Sequence, residues 1–313
     1  MHDHARSRRR KRRFDDDDES AYARQLGHAR RLIPAEALDA VDGIPDGDRW
    51  STWDQSSPGN RGPRPYPSWL ITDLGATDTE LGILKSGKEA DVFLLRRGVP
   101  GTDQSCLLAA KRYRQAEHLQ FHRNSEYLDG RRVRESRDNR AMASKTAVGR
   151  AMIATQWAIA EFGALRQMHQ AGIPVPYPVQ VTGTEILLEF IGDPDGTAAP
   201  RLSETRPRGA DLVNIWEQLV SALRMLAGLG LAHGDLSAFN LLLHRGRLIL
   251  IDLPQVIDVV AHPHGGEFLD RDAQNVANWF SARGLDRERL GDAPCPGELA
   301  AALRYEARLG PPC

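Results

Sequence analysis

The feature that most constrains this chain is a spacing of oxygen-bearing side chains. In HGDLSAFN, residues 233–240, Asp235 and Asn240 stand five apart, and Asp252 follows twelve residues after Asn240. Ahead of the segment, Leu212, Ile215, Trp216, Leu219, Leu223 and Leu226 recur at helical spacing. Behind it, 241–243 and 248–251 are short apolar runs joined by Arg245–Gly246, which reads as a hairpin. Asp235 and Asn240 therefore share one loop after a helix, and Asp252 ends the next strand. Such residues can simply close turns, but together they are also the groups phosphoryl transfer requires. One carboxylate positions or deprotonates the attacking hydroxyl, while an amide oxygen and a second carboxylate hold Mg²⁺ on phosphates.

A second signal comes from lysine. The chain has 41 basic residues, yet its only lysines are Lys11, Lys85, Lys88, Lys111 and Lys145. Lysine and arginine interchange on a solvated surface but not where a compact point charge is needed. Lys111 sits inside the apolar run 107–113, where it could snorkel to the surface. Further on, Ala158, Glu161, Leu165 and Met168 share one face of a helix that Gly172 and Pro174 would stop. A lone carboxylate on that apolar face would be costly. A Lys111–Glu161 ion pair answers both problems and aims Lys111 at phosphate oxygens.

The order of elements supports a bilobal, kinase-like outline. Strands are expected over 81–85, 92–96 and 107–113, then the helix, then strands over 175–181 and 186–191. Helices follow over 212–226, 270–280 and 297–308, with the 241–251 hairpin between the first two. Residues 1–68 read mostly as a charged, disordered tail with a helix near 34–41, ending in the Pro/Gly-rich linker SPGNRGPRPYPS. Residues 69–191 would form an N-lobe of antiparallel strands plus one helix, and 192–313 a reduced, mainly helical C-lobe. The class is α+β.

Composition narrows the setting. No apolar run is long enough for a membrane span. No apolar stretch follows the basic N-terminus, and the three cysteines match neither a zinc pattern nor a disulfide framework. A cytoplasmic location is expected, with no membrane partner. The basic run 8–13 is followed at once by the acidic run 15–19, which suits a solvated tail or a contact to RNA. His118, His122, His262 and His264 lack a convincing metal spacing.

Several segments in one order carry a family resemblance. They are KSGKEAD (85–91), WAIAE followed by GIPVPYP, LLEFIG followed by APRL, HGDLSAFN, IDLPQ, and HPHGGEFLDRDAQNV (262–276). Over about 81–284 the chain resembles the RIO-family atypical serine/threonine kinases, of the bacterial-type branch without an N-terminal winged helix. The resemblance implies a protein-kinase-like fold that takes ATP with Mg²⁺, or Mn²⁺ in its place. It implies Asp235 as the catalytic aspartate, Asn240 and Asp252 as metal ligands, Lys111 as the phosphate-contacting lysine and Glu161 as its partner. Ser86, Lys88 and Val92 would meet the nucleotide, and the backbone of Glu189 and Ile191 the adenine. The acceptor would be a protein Ser/Thr, the chain itself, or Asp252, the last giving net ATP hydrolysis. Ser125, Ser136, Ser144 and Thr146, in the arginine-rich stretch 114–147, would be autophosphorylation sites if that stretch is more than a surface loop. A role in maturing the small ribosomal subunit, with rRNA met by the basic tail, is the family's association.

There are departures: Lys85 stands where the family has a serine, and no APE segment follows Asp252. Aminoglycoside-type small-molecule kinases share the HGDxxxxN loop, so that loop alone does not separate them. A nucleotide-binding scaffold is the non-catalytic alternative.

Overall fold

Alternation builds the N-lobe. The computed structural model describes residues 47–114, 147–254, 256–285 and 287–310, all within one compact unit, Asp46–Cys313. Residues 1–46 of the expected tail, with the helix near 34–41, and the four candidate autophosphorylation sites lie outside the described residues. β2 (Thr77–Ser86), β3 (Ala90–Gly98), β4 (Ser105–Tyr113), β5 (Pro178–Thr182) and β6 (Glu185–Glu189) join the short β1 (Arg49–Trp50) in an antiparallel sheet ordered β1-β2-β3-β4-β6-β5. Along β4, Cys106, Leu108 and Ala110 turn to one face, and Lys111 and Tyr113 are on the other side of the alternation.

The second face receives α1 (Ala147–Gln170), which packs Ala154, Ala158 and Phe162 against Tyr113, Val181 and Ile186. The helix stops where the sequence suggests. Gly172 takes a left-handed φ of 81°, and Ile173 N–H returns to the Met168 carbonyl at 3.0 Å, a glycine-type C-terminal stop.

The first face is covered by a segment expected to be linker. That expectation is corrected for residues 47–68. Trp53 is buried with Leu70, Leu95, Leu108 and Tyr177. Arg61 lies 4.7 Å over the Trp53 ring, and Tyr177 Oη donates to the Pro63 carbonyl at 2.8 Å. Gly62 N–H donates to the Val179 carbonyl at 2.9 Å. A Cβ on Gly62 would stand 2.1 Å from the Pro178 carbonyl oxygen, so only glycine fits this approach. Proline and glycine here shape a close-fitting strap, because aromatic side chains interleaved among them supply apolar surface to bury.

Beneath the strap, Arg97 and Asp78 form a fully buried pair. Arg97 donates from Nε at 2.7 Å and Nη2 at 3.0 Å to the two Asp78 oxygens, and from Nη1 to Gln180 Oε1 at 3.2 Å.

The C-lobe is built on α2 (Gly209–Gly228), α3 (Gly265–Ser281) and α4 (Leu299–Glu306). Its core joins Leu212, Trp216, Leu219, Leu223, Phe280 and Leu303, and Trp216 packs edge-on to Phe280 at 5.0 Å. Two small sheets lie beside it: β7 (Leu231–Ala232) with β10 (Ile257–Asp258), and the hairpin β8 (Leu241–His244) with β9 (Arg247–Leu250). The hairpin turns through Arg245 at φ 51° and Gly246 at φ 77°, the paired positive angles of a tight two-residue turn. The protein is thus a bilobal α+β fold of the protein-kinase type. Among the described residues, no helix is long and apolar enough to cross a membrane.

Candidate active site

The β8–β9 hairpin brings the two expected metal ligands together. Leu241 pairs with Leu250, so Asn240 and Ile251 leave the same end of the hairpin side by side. Ile251 N–H then donates to the Asn240 carbonyl at 3.0 Å. Asp252 comes next, with a left-handed φ of 64°. That conformation is uncommon outside glycine, though aspartate tolerates it better than most, and such strain collects at functional sites. Asn240 Nδ2 donates to the Asp235 main-chain carbonyl at 2.8 Å, so its amide oxygen is the end left to face a cation.

Across the cleft, Lys111 links the lobes. Its Nζ donates to Glu161 Oε1 at 2.7 Å and to Asp252 Oδ1 at 2.8 Å. Glu161, buried on α1, also accepts from Tyr113 Oη and, at 3.3 Å, from Leu253 N–H. Burial works against the Lys111 charge, but Glu161 and Asp252 outweigh it and push its pKa up to about 12. For Asp252 burial again opposes ionisation, and Lys111 more than compensates, holding the carboxyl below its usual range. Burial and the adjacent Glu161 carboxylate raise the Tyr113 hydroxyl, which keeps it a donor.

Asp235 is exposed at the cleft, and its loop is held from below by α3. Asp272 accepts from Gly234 N–H at 2.7 Å and Leu236 N–H at 2.9 Å. Arg271 donates to the Gly234 carbonyl at 2.6 Å, and Asn275 to the Leu236 carbonyl at 3.1 Å. Gly234 and Leu236, the residues on either side of Asp235, are therefore each held at both N–H and carbonyl. Burial raises the Asp272 carboxyl, against the opposing pull of His233 and the two N–H donors. Buried His233 ties this loop to the strand before Asp252 through Nε2 and the Ile251 carbonyl, 3.1 Å apart.

The expected nucleotide contacts fall in two groups. Val92 is directly opposite Lys111 and shares its face of the sheet. At the hinge, Glu189 N–H donates to the Tyr177 carbonyl at 2.8 Å, and the Ile191 carbonyl accepts from Ala199 N–H at 2.9 Å. Ile191 N–H makes no hydrogen bond among the described residues. Ser86 is placed apart from the lysine: its hydroxyl donates to Asp91 at 2.7 Å and accepts from Arg114 at 2.7 Å, on the opposite face. Arg114, with Ser86, draws the Asp91 carboxyl down to about 2. Lys88 is exposed at the loop tip, beyond a tight turn in which Gly87 N–H bonds the Ala90 carbonyl at 3.0 Å.

This geometry sits inside a known domain: the RIO domain matches residues 101–292, more than half of the chain. The chain belongs to the RIO family. It is 36% identical over 219 residues to the RIO-type serine/threonine-protein kinase Rio1 of Haloferax volcanii, covering 70% of this chain and 69% of that protein. It is 35% identical over 205 residues to the serine/threonine-protein kinase RIO1 of Caenorhabditis elegans, covering 65% of this chain but 37% of that longer protein. Among solved structures, the Rio2 kinase from Chaetomium thermophilum aligns with a TM-score of 0.46 and 19% identity, over 71% of this chain and 63% of that one. Membership in the RIO family supports kinase or ATPase activity in general.

Sequence reasoning missed the supporting residues. Tyr113 follows Lys111 by two, the strand period that puts both on one face. Arg271, Asp272 and Asn275 fall in the RIO-like segment 262–276, but only the fold shows that they serve the Asp235 loop.

Proposed function

We propose that this chain is a RIO-type serine/threonine kinase that transfers the γ-phosphoryl group of ATP to a protein hydroxyl, its own included. The observation that carries this reading is Lys111, bonded at once to Glu161 in the N-lobe and Asp252 at the C-lobe edge of the cleft. That bridge sets a cation against the Asp252 carboxylate, which with the Asn240 amide oxygen would hold Mg²⁺.

The donor set suits that ion. Asn240 and Asp252 offer two hard oxygen donors, and Mg²⁺ is commonly bound by one or two carboxylates with phosphates and water completing the shell. When bound, Mg²⁺ would neutralise charge on the phosphates. The chain's own residues do the rest. Ile191 N–H and the Glu189 carbonyl would orient adenine, and Lys111 would hold phosphate oxygens. Asp235, fixed by α3 and open to the cleft, would accept the proton of the attacking hydroxyl. The bond from acceptor oxygen to γ-phosphorus forms as the bond to the ADP oxygen breaks, and the hydroxyl proton goes to Asp235.

Ribosome maturation, and contact with rRNA through the basic tail, remain part of this proposal through the family alone. The test is incubation with Mg²⁺ and γ-labelled ATP beside Asp235→Asn and Lys111→Ala variants. Label on the protein or released phosphate, lost in both variants, supports the reading. Base-labile label would point to an acyl phosphate on Asp252 as the acceptor. Wild-type protein that binds ATP but neither labels itself, nor labels an added protein, nor hydrolyses ATP would sink it.

A further inference from the structure

One lysine on the cleft side of the sheet has no part in the chemistry above. Lys85 is directly across from Val92 on β3, and Val92 is directly across from Lys111 on β4. Residues directly opposed in an antiparallel sheet share a face. Lys85, Val92 and Lys111 therefore form one row, and the bond from Lys111 to Asp252 shows that this face looks into the cleft. Ser86 and Asp91, one step along, turn the other way and bond each other.

Lys85 is exposed, and among the described residues it has no hydrogen-bond or ion-pair partner. It is nevertheless surrounded by charge. Burial first, then Arg201 and Lys111, lower its pKa, with Asp252 pulling the other way. Arg201 approaches from the opposite side, its guanidinium on the carbonyl of Phe239 in the Asp235 loop. Positive charge on Lys111 in the same row and on Arg201 beside the Asp235 loop thus acts together on Lys85, with Asp252 the opposing anion. An unpaired ammonium on a flexible stem, set among like charges, is suited to a multiply charged anion.

We propose that Lys85 is a second polyphosphate-binding lysine, gripping the phosphate chain of ATP from the roof of the cleft while Lys111 holds it from the sheet. The inference rests on the phosphotransferase reading and deepens it. It gives a use to the lysine that replaces the serine of the RIO pattern. Affinity should then climb more steeply with phosphate number than a serine at position 85 would allow.

The experiment is equilibrium binding of adenosine, ADP and ATP to the full chain, in Mg²⁺, as wild type, Lys85→Ser and Lys85→Arg. The expected result is that Lys85→Ser weakens ATP by about tenfold or more, the size of a lost charge-assisted hydrogen bond. ADP should weaken less and adenosine not at all, with Lys85→Arg recovering most of the ATP affinity. Wild-type ATP affinity in Lys85→Ser overturns the inference alone, as does parallel weakening of ATP and adenosine, which would mark a disturbed loop. Wild-type protein that binds neither ATP nor adenosine overturns the functional reading and this inference with it.

Discussion

Two buried ion clusters in this molecule use the same chemistry for different ends. Arg97 and Asp78 are both inaccessible to water, lie within one sheet, and have their hydrogen bonds satisfied by each other and Gln180. Lys111, Glu161 and Asp252 come from a strand, a helix and a loop on two sides of the cleft. The Asp252 side chain is 37% exposed and stands on a left-handed residue. The first pair is itself sealed from water, with only the half-exposed Arg49 reaching Asp78 from outside, at 3.6 Å. The second is open on one side and held by strained backbone, so its members can exchange partners. Openness and reach across the lobes, rather than burial or charge, separate the reactive cluster from the structural one.

The largest effect expected on either side is on turnover. Asp235→Asn should lower phosphoryl transfer by about 10²–10⁴-fold, the usual contribution of a positioned acid–base group. The melting temperature should hold, because this exposed carboxylate has no side-chain partner among the described residues. Next, Arg97→Ala should destabilise the fold by about 3–5 kcal/mol, since it leaves the buried Asp78 with only the half-exposed Arg49, 3.6 Å away. Denaturant titration reads this, while turnover per folded molecule stays near wild type.

Asp272→Asn should sharpen the comparison from within the C-lobe. It weakens two charge-assisted bonds to the Asp235 loop, an effect of about 1.5–3 kcal/mol. The loss should appear in kcat with KM for ATP little changed, because α3 touches the acceptor loop and not the hinge.

A smaller effect concerns pH. Lys111 is raised from 10.5 to about 12 in the folded state. Its ion pair therefore stabilises fully below the ordinary lysine value, and that contribution is lost as pH rises through about 12. Asp252, held below its ordinary value, contributes above that value and loses its contribution as pH falls through the depressed one. Wild-type stability should thus fall more steeply than that of Lys111→Met between the two alkaline values, by about 2 kcal/mol. Parallel curves would mean that the Lys111 bridge adds nothing to folding.

The parts of this molecule that were legible in sequence share a property: their signal is local. Asp235, Asn240 and Asp252 stand within one loop and one hairpin, and helical spacing alone puts Glu161 on a buried face. The succession of the five main N-lobe strands along the chain followed from apolar runs. The strap at 47–68 was not legible, because proline and glycine mark both linkers and close backbone packing. Only the depth to which Trp53 and Gly62 are packed distinguishes the two. Tyr113 and Asp272 were missed for another reason. Their partners, Glu161 and the Gly234–Leu236 loop, are 48 and about 38 residues away. Periodicity does not report a hydrogen bond across that separation; Lys111 and Glu161, 50 apart, are paired in sequence only because each is a lone charge on an apolar element.

The most direct test of the central claim measures two quantities on two variants prepared alike: label transfer from γ-labelled ATP and melting temperature, for Asp235→Asn and Arg97→Ala. The account predicts a crossed result, with transfer lost but melting unchanged in the first, and melting lowered but transfer per folded molecule retained in the second. Transfer that survives in Asp235→Asn, or that disappears in folded Arg97→Ala, would contradict it.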